Sequence, residues 1–230
     1  MIRSFIIALG LSVVAATAQA QGIEGGQVGL SYDHNSNHGT SQTSLGGSVA
    51  FGLGSLSLQG DLSKRINSNA PGAVSIGAHA ITGVGADSAL GAFLTYDNRS
   101  GATHDYNWGV EGKFAAGRDS SFGVEGYVMR VTRDAGRSNF NALGVDAKLG
   151  FGASSAVKAG FFSSDGSKGL SRYSVGFSQE LAPNLTVDLD AARQNSGSHR
   201  DSVLGLSVAY KFGNGATFSS RSYPQMVPGF

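Results

Sequence analysis

The chain has 230 residues, 17 Lys+Arg against 16 Asp+Glu, 35 Gly and no Cys. The absence of cysteine excludes disulfide scaffolds, Cys-based zinc or iron–sulfur sites and thiol catalysis. A net charge of +1, with the surplus on Arg3 near the N-terminus, argues against a phosphate-tracking nucleic-acid binder and against a polybasic membrane arm.

Residues 1–20, MIRSFIIALGLSVVAATAQA, read as a secretory signal peptide. Arg3 supplies the charged start, residues 5–16 are almost wholly apolar, and Ala18-Gln19-Ala20 fits the small-x-small rule for cleavage near Ala20. A membrane anchor is the poorer alternative, because the apolar core is too short to span comfortably.

From Gly26 onward the period is two. In Tyr106-Asn107-Trp108-Gly109-Val110-Glu111-Gly112-Lys113-Phe114 one face is apolar and the other wet, because a strand turns successive side chains to opposite faces. Twelve strands are predicted near 26–33, 44–51, 56–64, 73–82, 89–97, 105–115, 121–132, 139–151, 156–163, 172–181, 185–193 and 202–212. Ten remain possible if the fourth and ninth are misassigned. Phase conflicts arise at Ile81, Tyr127 and Phe162, which fall on nominally polar faces, and the tenth strand slips at Gln179, as a bulge would make it. Tight connections at 52–55, 83–88, 116–120, 152–155 and 182–184 alternate with longer polar ones at 34–43, 65–72, 98–104, 133–138, 164–171 and 194–201. That alternation predicts an up-and-down antiparallel meander over 21–212. Pro224 and Pro228 make the last residues a poor strand, so 213–230 are expected as an irregular periplasmic tail.

Two features place the apolar faces against lipid rather than in a water-excluded core. Only 14% of residues are charged, whereas a soluble surface alone carries roughly 25–35%. The aromatics also form two sets. Tyr32, Tyr96, Tyr106, Trp108 and Tyr173 sit near the longer connections, and Phe51, Phe114, Phe122, Phe151, Tyr210 and Phe212 near the tight ones. Two belts around an aliphatic band match the two interfaces of a membrane. A spanning sheet must close on itself, because lipid offers no backbone partners. The expected fold is therefore all-β: a single closed transmembrane β-barrel in a Gram-negative cell outer membrane.

With its leader, its belts and a last strand ending Val208-Ala209-Tyr210-Lys211-Phe212, the chain resembles small porin-like bacterial outer-membrane β-barrel proteins. The resemblance implies recognition of the last strand by the barrel-assembly machinery and contact with outer-membrane lipid and lipopolysaccharide. Those proteins usually finish at the final aromatic, whereas this chain continues to Phe230.

Twelve strands at ordinary spacing and tilt give a backbone radius of about 12 Å. Many inward positions are small, including Gly29, Ser31, Gly46, Ser48, Gly144 and Ser207. The larger pore-lining candidates nearly balance in charge: Asp61, Glu111, Glu125, Asp146, Asp188 and Asp190 against Lys113, Lys148, Lys158 and Arg193. This predicts a porin-like channel for small polar solutes with weak ion selectivity. The rival is a non-conducting structural or adhesin-like barrel whose charges pair across a closed interior.

Other chemistry finds little support. Four of the five histidines, His34, His38, His104 and His199, fall in predicted connections with no rigid spacing for a metal. His199-Arg200-Asp201-Ser202 holds hydrolase residue types without evident geometry, and no phosphate-binding Gly loop sits before a helix. No catalytic residue, metal, cofactor or nucleic-acid partner is expected.

Overall fold

The computed structural model describes residues 22–226 apart from 38, 69–71, 86, 100–102, 117–120, 135–136 and 167–168. The signal peptide expected at 1–20 lies outside the described residues. The alternating segments form twelve strands: β1 (Ile23–Asn35), β2 (Thr40–Leu53), β3 (Leu56–Asn67), β4 (Ala73–Gly83), β5 (Ser88–Arg99), β6 (Thr103–Ala116), β7 (Phe122–Arg133), β8 (Phe140–Phe151), β9 (Ser155–Ser164), β10 (Leu170–Ala182), β11 (Leu185–Ser196) and β12 (His199–Gly213). One helical turn, α1 (Tyr223–Met226), follows. Each strand pairs antiparallel with its sequence neighbours, and β1 closes on β12 from Gly25↔Gly213 to Asn35↔Val203. The result is a closed up-and-down barrel with no free sheet edge. Both β4 and β9 are full strands, so the ten-strand alternative falls away.

The strands run further than the sequence pattern suggested. Ladder pairing depends on the backbone, so polar residues continue it until a turn intervenes. The last hairpin closes on Gly197-Ser198, and His34, His104 and His199 lie within strands rather than in connections. Arg65, Arg99 and Arg133, expected in connections, are likewise inward residues near or at the ends of β3, β5 and β7. The bulge of β10 falls between Glu180 and Ala182, just beyond the expected slip at Gln179.

Polarity is inverted relative to a water-soluble barrel. Leu62, Val175 and Leu204 face out at 59%, 63% and 62% exposure, while Gln59, His79, Asn107 and Gln194 face in at 1% or less. The phase conflicts have one cause. Ile81, Tyr127 and Phe162 do point inward, where Tyr127 and Phe162 pack with Phe93, Met129, Val131, Phe140 and Leu170 around Tyr223. This is an apolar core inside the barrel.

The aromatic belts are outward, with Tyr32, Tyr106, Trp108 and Tyr173 exposed in one set and Phe51, Phe114, Phe122, Phe151 and Tyr210 in the other. Tyr96 is half-buried because it packs on Tyr106 at 5.2 Å between centroids and hydrogen-bonds His104 Nδ1 at 2.7 Å. Phe212 departs from its expected place: it is 7% exposed, its ring folded over Gly26 of β1, which has no side chain to keep it away.

The tail also departs from expectation. Instead of trailing outside the barrel, residues 216–226 turn back into the lumen, where Phe218, Arg221, Ser222 and Tyr223 are buried. The physical reason is complementarity. The inward face offers carboxylates, amides and aromatic rings that would otherwise lack partners, and the tail supplies a guanidinium, carbonyls and two rings.

Candidate functional site

The lumen is the candidate site, and alternation alone places its side chains. On β3 the inward positions are Gln59, Asp61, Ser63 and Arg65; on β5 they are Phe93, Thr95, Asp97 and Arg99. On β4 the inward row includes Ser75, His79 and Ile81. Strand pairing sets these rows side by side, with Asp61 opposite Gly77 and Glu111 opposite Gly91. The glycines leave room for neighbours to lean across.

His79 bridges two carboxylates. Its Nε2 lies 2.7 Å from Asp61 Oδ2 and its Nδ1 2.5 Å from Glu111 Oε1, an arrangement that suits an imidazolium donating from both nitrogens. Phe218 of the tail stacks on the His79 ring at 6.4 Å between centroids. Glu111 also accepts from Arg221 Nε at 2.8 Å, and Glu125 accepts from Arg221 Nη2 at 2.5 Å. The guanidinium lies 4.1 Å from the Tyr127 ring centroid, within cation–π range. Beyond it Ser222 donates to Asp97 Oδ1 at 2.8 Å and accepts from Ser75 at the same distance.

Towards the longer connections the wall turns basic. Arg65 donates to the carbonyl of Pro224 at 2.7 Å, and Arg172 donates to that of Met226 at 2.8 Å. Arg133 lies 4.5 Å from the Phe140 ring and 5.4 Å from the Tyr223 ring. Asp105, fully buried, pairs with Arg99 at 2.9 Å and Arg137 at 2.8 Å.

Of the pore-lining candidates, Asp61, Glu111 and Glu125 belong to the tail-binding network, and Lys113 donates to the carbonyl of Thr217 at 3.1 Å. Asp146, Lys148, Lys158 and Asp190 line a lumenal cavity of about 610 Å³ below the tail. Lys158 pairs there with Asp188 at 3.3 Å and Asp190 at 3.2 Å. Arg193 does not line the pore. It shares the outward face with Leu189, next to Tyr173, and donates to Ser202 Oγ at 2.7 Å; the inward residue is Gln194. The alternation that sends Asp188 and Asp190 inward requires this, because 193 has the opposite parity. Ser202, the nucleophile considered for hydrolysis, therefore meets an arginine and not a histidine.

A second cavity, about 230 Å³, runs beside Ser220 of the tail. Small and polar residues of β1, β2 and β12 contribute much of its lining, Gly29, Ser31, Asp33, Gln42, Ser48 and Ser207 among them. Among the described residues no set of His, Asp and Glu side chains is arranged to hold a metal ion. The sequence pattern did not single out His79 or the tail residues Phe218, Arg221, Ser222 and Tyr223. The available signal was Gly213-Asn214-Gly215, a turn directly after the last strand.

No protein-family model matches the chain, and no curated protein matches it. Among solved structures it is similar to the KdgM porin in complex with disordered oligogalacturonate, with TM-score 0.68, 11% identity, 81% of this chain and 99% of that one. It is also similar to the NanC porin, with TM-score 0.62, 10% identity and coverage of 80% and 100%. An outer membrane channel from Pseudomonas putida F1 aligns with TM-score 0.59, 9% identity and coverage of 84% and 96%. The fold is that of outer-membrane porin-type barrels.

Proposed function

We propose that the protein is a channel of the bacterial outer membrane for passive diffusion of small hydrophilic solutes. The observation that carries this is the inversion of a closed barrel: a continuous apolar outer face between two aromatic belts, around an interior of charged and hydroxylic side chains. Outer-membrane lipid and lipopolysaccharide are the surroundings such a face suits, and β12 is the strand the barrel-assembly machinery would read. The porin fold of the similar structures supports the same reading. A polyanion such as the oligogalacturonate named with KdgM needs free cations along its path. Here Arg65 and Arg172 are engaged by tail carbonyls, Arg99 by Asp105, and Arg221 by Glu111 and Glu125. The lumen therefore favours small solutes of either sign.

The purified protein in planar bilayers should give ohmic current steps with a cation-to-anion permeability ratio near one. Complete silence at every salt concentration would leave a structural or adhesin-like barrel. That second reading draws on the tail, which fills much of the lumen.

A further inference from the structure

Resting on the channel function proposed above, we infer that Thr217–Met226 is a permanent selectivity insert. It stays in the lumen while the channel conducts, and it confines solute to the spaces left beside it, along β1, β2 and β12 and along β6 to β11. Through Arg221 it offsets one of the two acidic charges of Glu111 and Glu125.

The turn that delivers the segment is built into the chain. Gly213 and Gly215 adopt φ of 56° and 74°, the left-handed region that favours glycine, and a Cβ on Gly213 would meet the carbonyl of Glu24 at 2.5 Å. The Asn214 N–H donates to that same carbonyl at 3.0 Å, and the Gly215 N–H donates to the carbonyl of Phe212 at 3.0 Å. The reversal is thereby fastened to β1 and to the end of β12.

Inside, the barrel recognises the segment's backbone. The fully buried Gln59 uses both ends of its amide: Oε1 accepts from the N–H groups of Thr217 and Phe218 at 2.9 and 3.2 Å, and Nε2 donates to the Phe218 carbonyl at 2.9 Å. The Ser219 N–H donates to Glu125 at 3.0 Å. Further along, Asn107, Arg65 and Arg172 donate to the carbonyls of Arg221, Pro224 and Met226. The contacts come from β3, β6, β7 and β10, so the segment is held from several directions at once. Withdrawal would strand Glu111 and Glu125 without Arg221 and open the Phe140–Phe162–Tyr223 cluster to water, which is why a plug that comes and goes is disfavoured.

What remains for solute is the space beside the insert: the cavity at Ser220, with Gly29, Ser31, Ser48 and Ser207 among its lining, and the larger one bordered by Glu125, Asp146, Lys148 and Lys158. With Arg221 in place the two carboxylates keep a single net negative charge, and Lys113, opposite Glu125, balances it. Without it the wall where Glu125 and Asp146 stand beside Lys113, Lys148 and Lys158 loses one positive charge, and cations gain.

The native chain has no cysteine, so a reporter disulfide is clean. Ser75 and Ser222 Oγ atoms lie 2.8 Å apart, and Ser75→Cys with Ser222→Cys in the full chain would tie the insert to β4. Single-channel recordings before and after reduction should show equal conductance, matching the unmodified protein. Adding Arg221→Met to the locked chain keeps the insert in place and should raise the cation-to-anion permeability ratio at least about threefold. Loss of current on oxidation, restored by reductant, would make the segment a moving gate and overturn the inference while leaving the channel intact. So would an unchanged ratio with Arg221→Met. Silence of the unmodified, locked and reduced proteins alike would instead overturn the channel function and the insert with it.

Discussion

The two halves of the lumen obey different rules. On one side Gln59, His79, Glu111, Tyr127 and Phe140 are large or charged, and together with the tail they fill the space between them. Along β1, β2 and β12 many inward residues are small, among them Gly29, Ser31, Ser48 and Ser207, and a cavity lies beside the tail. Inward polarity alone does not make a pore. The filled half behaves as a protein core that happens to be polar, where each buried group must find a partner. A barrel of this circumference admits both because one inserted segment covers only one side.

The sharpest contrast should come from charge removal. Arg221→Ala leaves two carboxylates buried in the filled half and should cost about 3–5 kcal/mol, read by urea unfolding in lipid vesicles. Lys158→Ala also breaks two ion pairs, but in the larger cavity where its side chain is 30% exposed, and it should cost less than about 1 kcal/mol. Equal costs would erase the distinction between halves. A smaller effect tests space. Gly144 lies beneath the Tyr127 ring, where a Cβ would collide, so Gly144→Ala should destabilise by about 1–3 kcal/mol. Ser31→Phe, projecting into the passage, should leave stability within about 0.5 kcal/mol and cut unitary conductance by about half or more. Undiminished current through Ser31→Phe would place the permeation route elsewhere.

Gly144 also shows how far the sequence was legible. As a small inward residue it suggested open lumen, and its inward direction agrees with the structure, but a ring from β7 occupies the space. Strand count, closure and the outward apolar face follow from local alternation, which repeats in every segment and needs no long-range information. Ile81, Tyr127 and Phe162 looked like phase errors because a transmembrane barrel was expected to be polar inside; all three point inward, and for Tyr127 and Phe162 the tail supplies an apolar neighbour, Tyr223. The tail's position is a contact between residues more than a hundred apart, such as Arg221 with Glu111, and no period records it. Arg193 is the converse case: parity already sent it outward, and its charge drew it wrongly into the pore set. Arg65, Arg99 and Arg133 were read as rim residues, because nothing in a strand's sequence marks where its ladder stops.

The smallest effect belongs to the rim above the filled half, where contacts are exposed to water. Asp165, just past the end of β9, accepts from the Asn141 backbone N–H at 2.5 Å and from Asn141 Nδ2 at 2.8 Å, and these bonds hold its carboxyl below the ordinary value of 3.8. A carboxyl lowered on folding stabilises the native state above its unfolded value, and the benefit disappears as pH falls through the lowered folded value. The tie between β8 and the end of β9 should accordingly persist at neutral pH and loosen only in acid, below 3.8. Hydrogen exchange at the Asn141 amide would read this directly: protection should fall in the acid range beyond the intrinsic pH trend, and Asp165→Asn should remove that extra dependence. Conductance should be unaffected, because the contact faces solvent and neither the insert nor the passage touches it. A change in current with Asp165→Asn would mean that the rim, and not the inserted segment, sets the opening of the filled half.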